Sequence, residues 1–152
     1  MKKEPSRPAS PGNGDFSLPR KKILRGRRNF QRLFESSTVL RSPSVHFRYR
    51  IYDDAEEGCL IGFIVKTKLG HAVKRNRIKR LLREVYRRDQ HLLSDLFEKK
   101  EFGFHGAFIA QKRNLTYESL AQDMIPMLKR VRHTLTERLG LVNSVDHNRN
   151  SR

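Results

Sequence analysis

Cations dominate the stretch GHAVKRNRIKRLLREVYRR, which covers residues 70–88. It holds eight Lys or Arg residues and a single acid, Glu84. Solvated surface helices normally mix the two signs, because opposite charges four residues apart pair with each other. Arginine also offers a planar fork that holds two phosphate oxygens or stacks on a base. The residue types therefore predict binding to a polyanion, with nucleic acid as the first candidate.

Helical spacing divides this stretch into two sides. Placed at about 100° per residue, residues 76–88 form an apolar stripe of Ile78, Leu81, Leu82 and Val85. The opposite side presents Asn76, Arg80, Arg83 and Arg87, with Lys79 on its flank. We predict that the stripe packs on a sheet while the outer row meets phosphates or base edges.

The entrance to this helix is also basic. Lys74 and Arg75 are predicted in its first turn or in the preceding loop, because an earlier start would direct them towards the apolar stripe. Gly70 fits that loop, and Lys66 and Lys68 extend the positive charge to it. A helix N-terminus adds partial positive charge at the same place.

The sequence offers no constellation for catalysis by the protein. Its six histidines form no short metal-binding pair and no acid–base group; they are His46, His71, His91, His105, His133 and His147. The acidic run at residues 53–57 stands between two predicted strands, which favours a turn over a Mg²⁺ site. No phosphate-binding loop, nucleophile motif or dinucleotide fingerprint is present.

The charge of the whole chain agrees with a nucleic-acid partner. The 152 residues include 33 Lys or Arg and 16 Asp or Glu, which gives a net charge of +17 and a pI near 10.8. An anionic membrane is the second candidate, but no apolar run approaches about 18 residues and the N-terminus lacks the apolar core of a signal peptide. We expect a soluble, cytosolic protein without a membrane partner, an organic cofactor or an obligatory protein partner.

Composition predicts one domain between two loose ends. Residues 1–22 hold four of the six prolines and are predicted to be a disordered basic tail, residues 23–140 a single domain, and residues 141–152 a disordered tail. Cys59 is the only cysteine, so no internal disulfide forms, and its apolar neighbours favour a buried small side chain over a reactive thiol.

Periodicity predicts an α+β arrangement. Phe30, Leu33 and Phe34 indicate a first helix capped by Asn29, with an aromatic apolar face. Residues 45–52 alternate between an inward face, which includes Tyr49, and a basic outward face, and TVLRS before Ser42 is a possible hairpin partner.

The later segments are predicted to supply two more strands and a last helix. The run CLIGFIVK is apolar on both faces and reads as a central strand, and GAFIAQ as a fourth strand. Residues from Tyr117 to about Leu139 form a last helix capped by Thr116 and either kinked or divided at Pro126. Residues 90–106 receive no assignment.

The ordered motifs resemble the protein component of bacterial ribonuclease P. That family's signature is a basic helix with Arg-Asn-Arg, seen here as Arg75, Asn76 and Arg77. The run GFIVKTKLGHAVKRNRIKRLLRE is similar to the family's strand, Lys-rich loop and helix, and NFQRLF and IAQKRNLTYESL also resemble family segments. The resemblance covers about residues 22–139.

The resemblance implies a two-layer α/β (α+β) sandwich, with a four-stranded mixed sheet, about three helices and a left-handed βαβ crossover through a helix from about Ala72. It implies that the protein binds the catalytic RNA of the holoenzyme through the basic residues Lys66, Lys68, Arg75, Asn76, Arg77, Lys79, Arg80, Arg83 and Arg87. It further implies that Phe30, Phe34 and Tyr49 contact the 5′ leader of precursor tRNA, although a core role for the two phenylalanines stays open.

In the family picture the RNA subunit, with Mg²⁺, hydrolyses the phosphodiester and generates the mature tRNA 5′ end. The chain departs from the usual pattern at Thr67, His71, His105 and Gln111. The main alternative is a non-enzymatic structural RNA-binding protein of ribosomal-protein type. A module that reads the DNA major groove is less favoured, because no helix-turn-helix pattern surrounds the arginines.

Overall fold

A computed structural model describes residues 17–140; residues 1–16 of the N-terminal tail predicted at 1–22, and the C-terminal tail predicted at 141–152, lie outside this range. Within it, four strands form one sheet in the order β1-β2-β4-β3. The strands are β1 (Thr38–Arg41), β2 (Val45–Tyr52), β3 (Cys59–Ile64) and β4 (Gly103–Ala110). Neighbours pair antiparallel except β3 and β4, which are parallel. The predicted mixed sheet is therefore confirmed.

Four α-helices accompany the sheet in the described part of the chain: α1 (Arg27–Glu35), α2 (Ala72–Asp89), α3 (His91–Phe97) and α4 (Tyr117–Arg138). The α+β class is confirmed, with one helix more than expected, since α3 lies in the segment that received no assignment. α2 and α3 connect the parallel strands β3 and β4, as the implied crossover requires. The left hand of that crossover stays a prediction.

The main core lies between one face of the sheet and helices α2, α3 and α4. β2 contributes Val45, Phe47 and Tyr49, and α2 contributes Ile78, Leu82 and Val85, all buried in one cluster. The predicted stripe of α2 is confirmed, except that Leu81 is only partly buried. Tyr86, which the stripe did not include, joins the core.

A second, smaller core holds α1 on the opposite face of the sheet. Leu24 and Leu33 are buried there against Ala107 of β4, and Phe30 packs beside them. Gly62 permits this approach, since a Cβ added to it would lie 2.9 Å from Cζ of Phe30. The sheet thus carries a three-helix layer on one face and α1 alone on the other.

The structure corrects the position of β3. This strand was predicted to be central, but it lies at the sheet edge, next to β4. It is apolar on both sides because α2 packs on one face and the α1 cluster on the other. Its outer edge is partly covered by the preceding chain, where the backbone N–H of Leu24 donates to the carbonyl of Ile61 at 2.9 Å.

The N-terminal boundary of the fold lies earlier than predicted. Residues 17–22 were assigned to the disordered tail, yet Arg20–Lys22 form a 3₁₀ turn and Leu18 packs against the main core. The side chain of Gln90 also donates to the carbonyl of Ser17 at 2.9 Å. The apolar side chain of Leu18 and the hydrogen bond from Gln90, the C-cap residue of α2, hold this segment on the domain.

Two helix details also differ from expectation. Asn29 is not the cap of α1, because Gly26 caps it and Asn29 lies inside the helix. α4 runs through Pro126 as one helix, so division into two pieces is wrong. The carbonyl that the proline leaves without a helical donor belongs to Gln122, and both residues are exposed, so water can satisfy it. Thr116 caps α4 as predicted.

Candidate nucleic-acid interface

The exposed side of α2 forms a cationic surface that consists of Asn76, Arg77, Lys79, Arg80 and Arg83. Lys79 is half-buried and the other four are exposed, while the buried stripe fixes the helix on the sheet. Within residues 17–140, no ion pair involves any of the four cations of this surface, which are Arg77, Lys79, Arg80 and Arg83. The α2 cationic surface therefore presents charges that neighbouring carboxylates do not neutralise.

Three of the predicted RNA-binding residues have a structural partner. Arg87 holds Glu84 with two hydrogen bonds of 3.0 and 2.8 Å, and this contact raises its pKa. Arg75 turns back at the start of α2, where its Nε donates to the carbonyl of Gly70 at 3.0 Å. Arg83 lies over the ring of Phe63 at 5.7 Å. Arg75 and Arg87 are thus engaged within the protein, whereas Arg80 and Arg77 extend outward.

Lys66 and Lys68 lie in the loop between β3 and α2 and are exposed. This loop contains the 3₁₀ turn Thr67–Leu69 and ends at Gly70, whose φ of 138° favours glycine. Lys66 also acts electrostatically on His46 of β2. The positive charge of Lys66 therefore acts on the face of the sheet opposite α2 as well as near the α2 cationic surface.

The α1 face of the sheet forms a second basic surface, which we define by Phe30, Phe34, His46, Arg48 and Arg50. Phe34 is 45% exposed, and its ring centroid lies 6.3 Å from that of Phe30. Arg48 lies over the ring of Phe34 at 5.4 Å and donates to Oγ of Ser37 at 3.1 Å. An exposed aromatic ring beside a fixed guanidinium is a suitable platform for an unpaired base.

The structure separates the three residues predicted to bind the leader. Phe34 is accessible, whereas Phe30 is half-buried against Gly62 and forms part of the small core. Tyr49 is only 6% exposed and stacks on Phe47 and Phe104 on the other face of the sheet. Its place in the main core contradicts the prediction that it joins the phenylalanines. The reason is the strand's period of two, which puts Tyr49 on the same side as Phe47.

Arg48, Arg50 and His46 were not among the predicted site residues, although their signal was present in the sequence. They form the outward, basic face of the alternating strand β2. Burial, followed by the charges of Arg41, Lys66 and Arg48, lowers the pKa of His46 below its ordinary value. The imidazole is therefore neutral at pH 7, and a bound phosphate would favour its protonation.

A clamp of four residues, Arg32, Glu57, Arg50 and Tyr52, fastens α1 to the sheet. Arg32 of α1 binds Glu57 through two hydrogen bonds of 3.1 and 2.8 Å. The contact lowers the pKa of Glu57. The guanidinium groups of Arg32 and Arg50 both lie over the ring of Tyr52, at 4.9 and 4.6 Å.

Arg50 closes the clamp from β2, since its Nη1 donates to the backbone carbonyl of Arg32 at 3.2 Å. Glu57 belongs to the 3₁₀ turn Ala55–Glu57, inside the segment that was predicted to be an acidic turn. That segment was considered for Mg²⁺, but here one of its carboxylates positions a helix. The clamp therefore links α1, β2 and this turn.

Neither a reactive thiol nor a metal-binding cluster is found among the described residues. Cys59 is half-buried, and burial raises the pKa of its thiol to about 11, so it stays protonated at neutral pH. In the described residues, no group of three or more His, Cys, Asp or Glu side chains is arranged to hold a metal ion. None of the helices there is long and apolar enough to cross a bilayer.

A mixed sheet with a cationic crossover helix and an aromatic, basic opposite face defines an RNA-binding α+β domain. The profile of the ribonuclease P family matches residues 18–132, which is most of the chain. The chain belongs to the ribonuclease P protein family.

Two curated relatives illustrate the match. The ribonuclease P protein component of Dictyoglomus thermophilum is 45% identical over 74 residues, which cover 49% of this chain and 60% of that protein, or less than two thirds of its length. The component from Bacillus cereus is 30% identical over 117 residues, which cover 74% of this chain and 93% of the relative.

The solved structure of the ribonuclease P protein from Thermotoga maritima is also similar. It has a TM-score of 0.57 and 25% identity, and the match covers 71% of this chain and 96% of that one.

Proposed function

We propose that this chain is the protein subunit of ribonuclease P. It binds the catalytic RNA and the 5′ leader of precursor tRNA, so that the holoenzyme removes the leader and generates the mature tRNA 5′ end. The observation that carries the proposal is the α2 cationic surface, which has no acidic partner in the described residues and belongs to a chain matched by the family profile.

The two surfaces have different tasks in this proposal. The α2 cationic surface docks on the phosphate backbone of the catalytic RNA, together with the loop of Lys66 and Lys68. The α1 face holds the single-stranded leader, with Phe34 stacking on a base and Arg48 beside it. Arg41 and Lys66 act electrostatically on His46 of this face, so they add positive charge beside the bound leader.

Phosphodiester hydrolysis is assigned to the RNA subunit, and Mg²⁺ is expected to bind there. The protein contributes cations that lower the repulsion between RNA segments and orient the substrate. We expect it to act in the cytoplasm, where precursor tRNA is made in bacteria.

The test is cleavage of precursor tRNA by a bacterial ribonuclease P RNA at low Mg²⁺, with and without this protein. Protein cations matter most where metal screening is weak. Correct 5′ processing that requires the protein is the expected result. Tight RNA binding without stimulation of a cognate RNA would instead support a structural RNA-binding protein.

A further inference from the structure

A small pocket lies between the first turns of α2 and the loop that joins β4 to α4. Its volume is about 210 Å³, and three cations line it: Lys74 and Arg77 from α2, and Arg113 from the loop. No carboxylate belongs to its lining. Two separate elements thus bring three positive side chains around one concavity.

These charges are not neutralised within the fold. Lys74, Arg77 and Arg113 form no ion pair among residues 17–140, and α2 has no acidic residue in its first turn. Of the two acids of that helix, Glu84 is engaged with Arg87, and Asp89 is its last residue, far from the first turn. Like charges around one pocket repel each other, and a bound anion would turn this repulsion into attraction.

The base of the pocket is apolar. Ile78 is 2% exposed and Leu115 is 7% exposed, and Leu81 also belongs to the lining. Low-dielectric walls focus the field of the surrounding cations, so that an anion is held more strongly here than on an open surface. Asn114 and Thr116 add polar groups at the rim.

The pocket does not depend on the start of α4. The hydroxyl of Thr116 accepts from the backbone N–H of Ser119, and the N–H of Thr116 donates to the hydroxyl of Ser119, both at 3.1 Å. This capping box uses two donors of the helix end internally. The side chains on α2 and the loop therefore supply the positive charge.

We propose that this pocket binds one backbone phosphate of the catalytic RNA and so anchors the RNA at a fixed point beside the α2 cationic surface. The inference rests on the proposed function and deepens it. Two arginines suit phosphate because each guanidinium offers a planar fork of donors. Arg77 belongs to both the pocket and the α2 cationic surface, so one strand can contact both.

The main test is the affinity of the chain for a bacterial ribonuclease P RNA, measured for Arg113→Gln over a series of salt concentrations. We expect about a tenfold loss at low salt and a decrease of about one in the slope of log K against log salt, as for one lost phosphate contact. Arg113 is exposed, so the fold should persist, and circular dichroism with thermal unfolding checks this.

Lys112→Gln is the matched control. Lys112 precedes Arg113 in the loop and is also exposed, but it does not line the pocket and is close enough to Asp123 to interact with it electrostatically. The substitution removes the same charge from the same loop. Its affinity should stay within about twofold of the unchanged protein, as for a cation without a fixed phosphate contact.

The double variant Lys74→Gln, Arg113→Gln tests whether both cations hold the same phosphate. Substitutions of groups that share one partner are not additive. The fold loss of RNA affinity in the double variant should therefore be clearly smaller than the product of the losses in Lys74→Gln and in Arg113→Gln. Hydroxyl-radical footprinting should show one short RNA segment whose protection disappears in Arg113→Gln and persists in Lys112→Gln.

Several outcomes would contradict the proposal that this pocket binds one backbone phosphate of the catalytic RNA. Equal losses for Arg113→Gln and Lys112→Gln would indicate diffuse attraction, and additive losses in the double variant would indicate separate contacts. A defect seen only with precursor tRNA, with unchanged affinity for the catalytic RNA, would assign the phosphate to the substrate instead. If the unchanged protein stimulates cleavage in these cases, only this inference fails; if it does not, the proposed function fails first.

Discussion

The α1 face and the α2 cationic surface are both basic, but they hold their arginines differently. On the α1 side, Arg32 binds a carboxylate, Arg48 lies over an aromatic ring, and Arg50 donates to a backbone carbonyl. On α2, Arg77 and Arg80 extend outward without an ion pair in the described part of the chain. The α1 face is preorganised, whereas the α2 cationic surface keeps its charges available, apart from Arg83, which lies over the ring of Phe63.

This difference teaches what each surface can recognise. Cations without a fixed partner adapt to a phosphate backbone, and their contribution falls steeply with salt. Fixed side chains lose little conformational entropy on binding, so a preorganised ring and guanidinium suit a short single strand that must be held in one position. We therefore expect substitutions on the two sides to affect different steps.

Arg80→Glu should give the largest effect. The change removes one cation from the α2 cationic surface and adds a repulsive charge, so affinity for the catalytic RNA should fall about a hundredfold at low salt. The residue is exposed, and the free energy of unfolding should change little. Filter binding over a salt series measures the affinity. Lys129→Glu on α4, which makes the same change in charge at another exposed site, is the control. Equal losses for the two variants would mean that α2 is not a distinct RNA-binding surface.

Phe34→Ala should act on the other surface. One lost base stack costs about 1–3 kcal/mol, so the affinity of the holoenzyme for precursor tRNA should fall about tenfold, with unchanged affinity for mature tRNA. Tyr49→Phe should leave both affinities unchanged because Tyr49 lies in the main core. The measurement compares substrates with and without a leader. A Tyr49→Phe effect limited to leader-containing substrate would contradict the assignment of faces.

Arg32→Gln should have a smaller, indirect effect. It breaks the clamp at Glu57, so α1 and its aromatic rings are less well positioned, and leader-dependent affinity should fall about fivefold. Affinity for the catalytic RNA should stay unchanged. The exchange Arg32→Glu with Glu57→Arg should restore part of the loss if the pair positions α1. No recovery, with an intact fold, would mean that Arg32 contacts the leader directly.

Acidification should produce the smallest effect. Burial lowers the pKa of His105 below its ordinary value of 6.5, an effect larger than the opposing contact of its Nε2 with the carbonyl of Glu57. The pKa of His46 is also lowered. The unfolded chain then binds more protons than the folded one, so the free energy of unfolding decreases as the pH falls through 6.5.

Urea unfolding between pH 7.5 and 5 checks this dependence, with His105→Gln and His46→Gln each expected to flatten it. Nδ1 of His105 is buried without a partner in the described residues, so its protonation would bury an unpaired charge. The charges of Glu57, Arg32 and Arg50 also act on His105, and the ring of Tyr52 packs against the imidazole edge to face. A curve that stays equally steep in both variants would exclude these two histidines as its source.

Local pattern determined much of this protein. The amphipathic spacing of α2, the alternation of β2 and the cap of α4 at Thr116 follow from side-chain period and backbone hydrogen bonding, which act over a few residues. The sequence also indicated the basic face of β2, although Arg48 and Arg50 were not assigned to a surface. The ordered motifs around Arg75, Asn76 and Arg77 predicted the family correctly.

Tertiary structure decided which of these faces meet. The place of β3 at the sheet edge, the burial of Tyr49 and the clamp between Arg32 and Glu57 all depend on partners far away in the chain. The pocket of Lys74, Arg77 and Arg113 likewise joins a helix with a loop that follows it by more than thirty residues. Such contacts leave no periodic signal, because packing selects them only after the elements have formed.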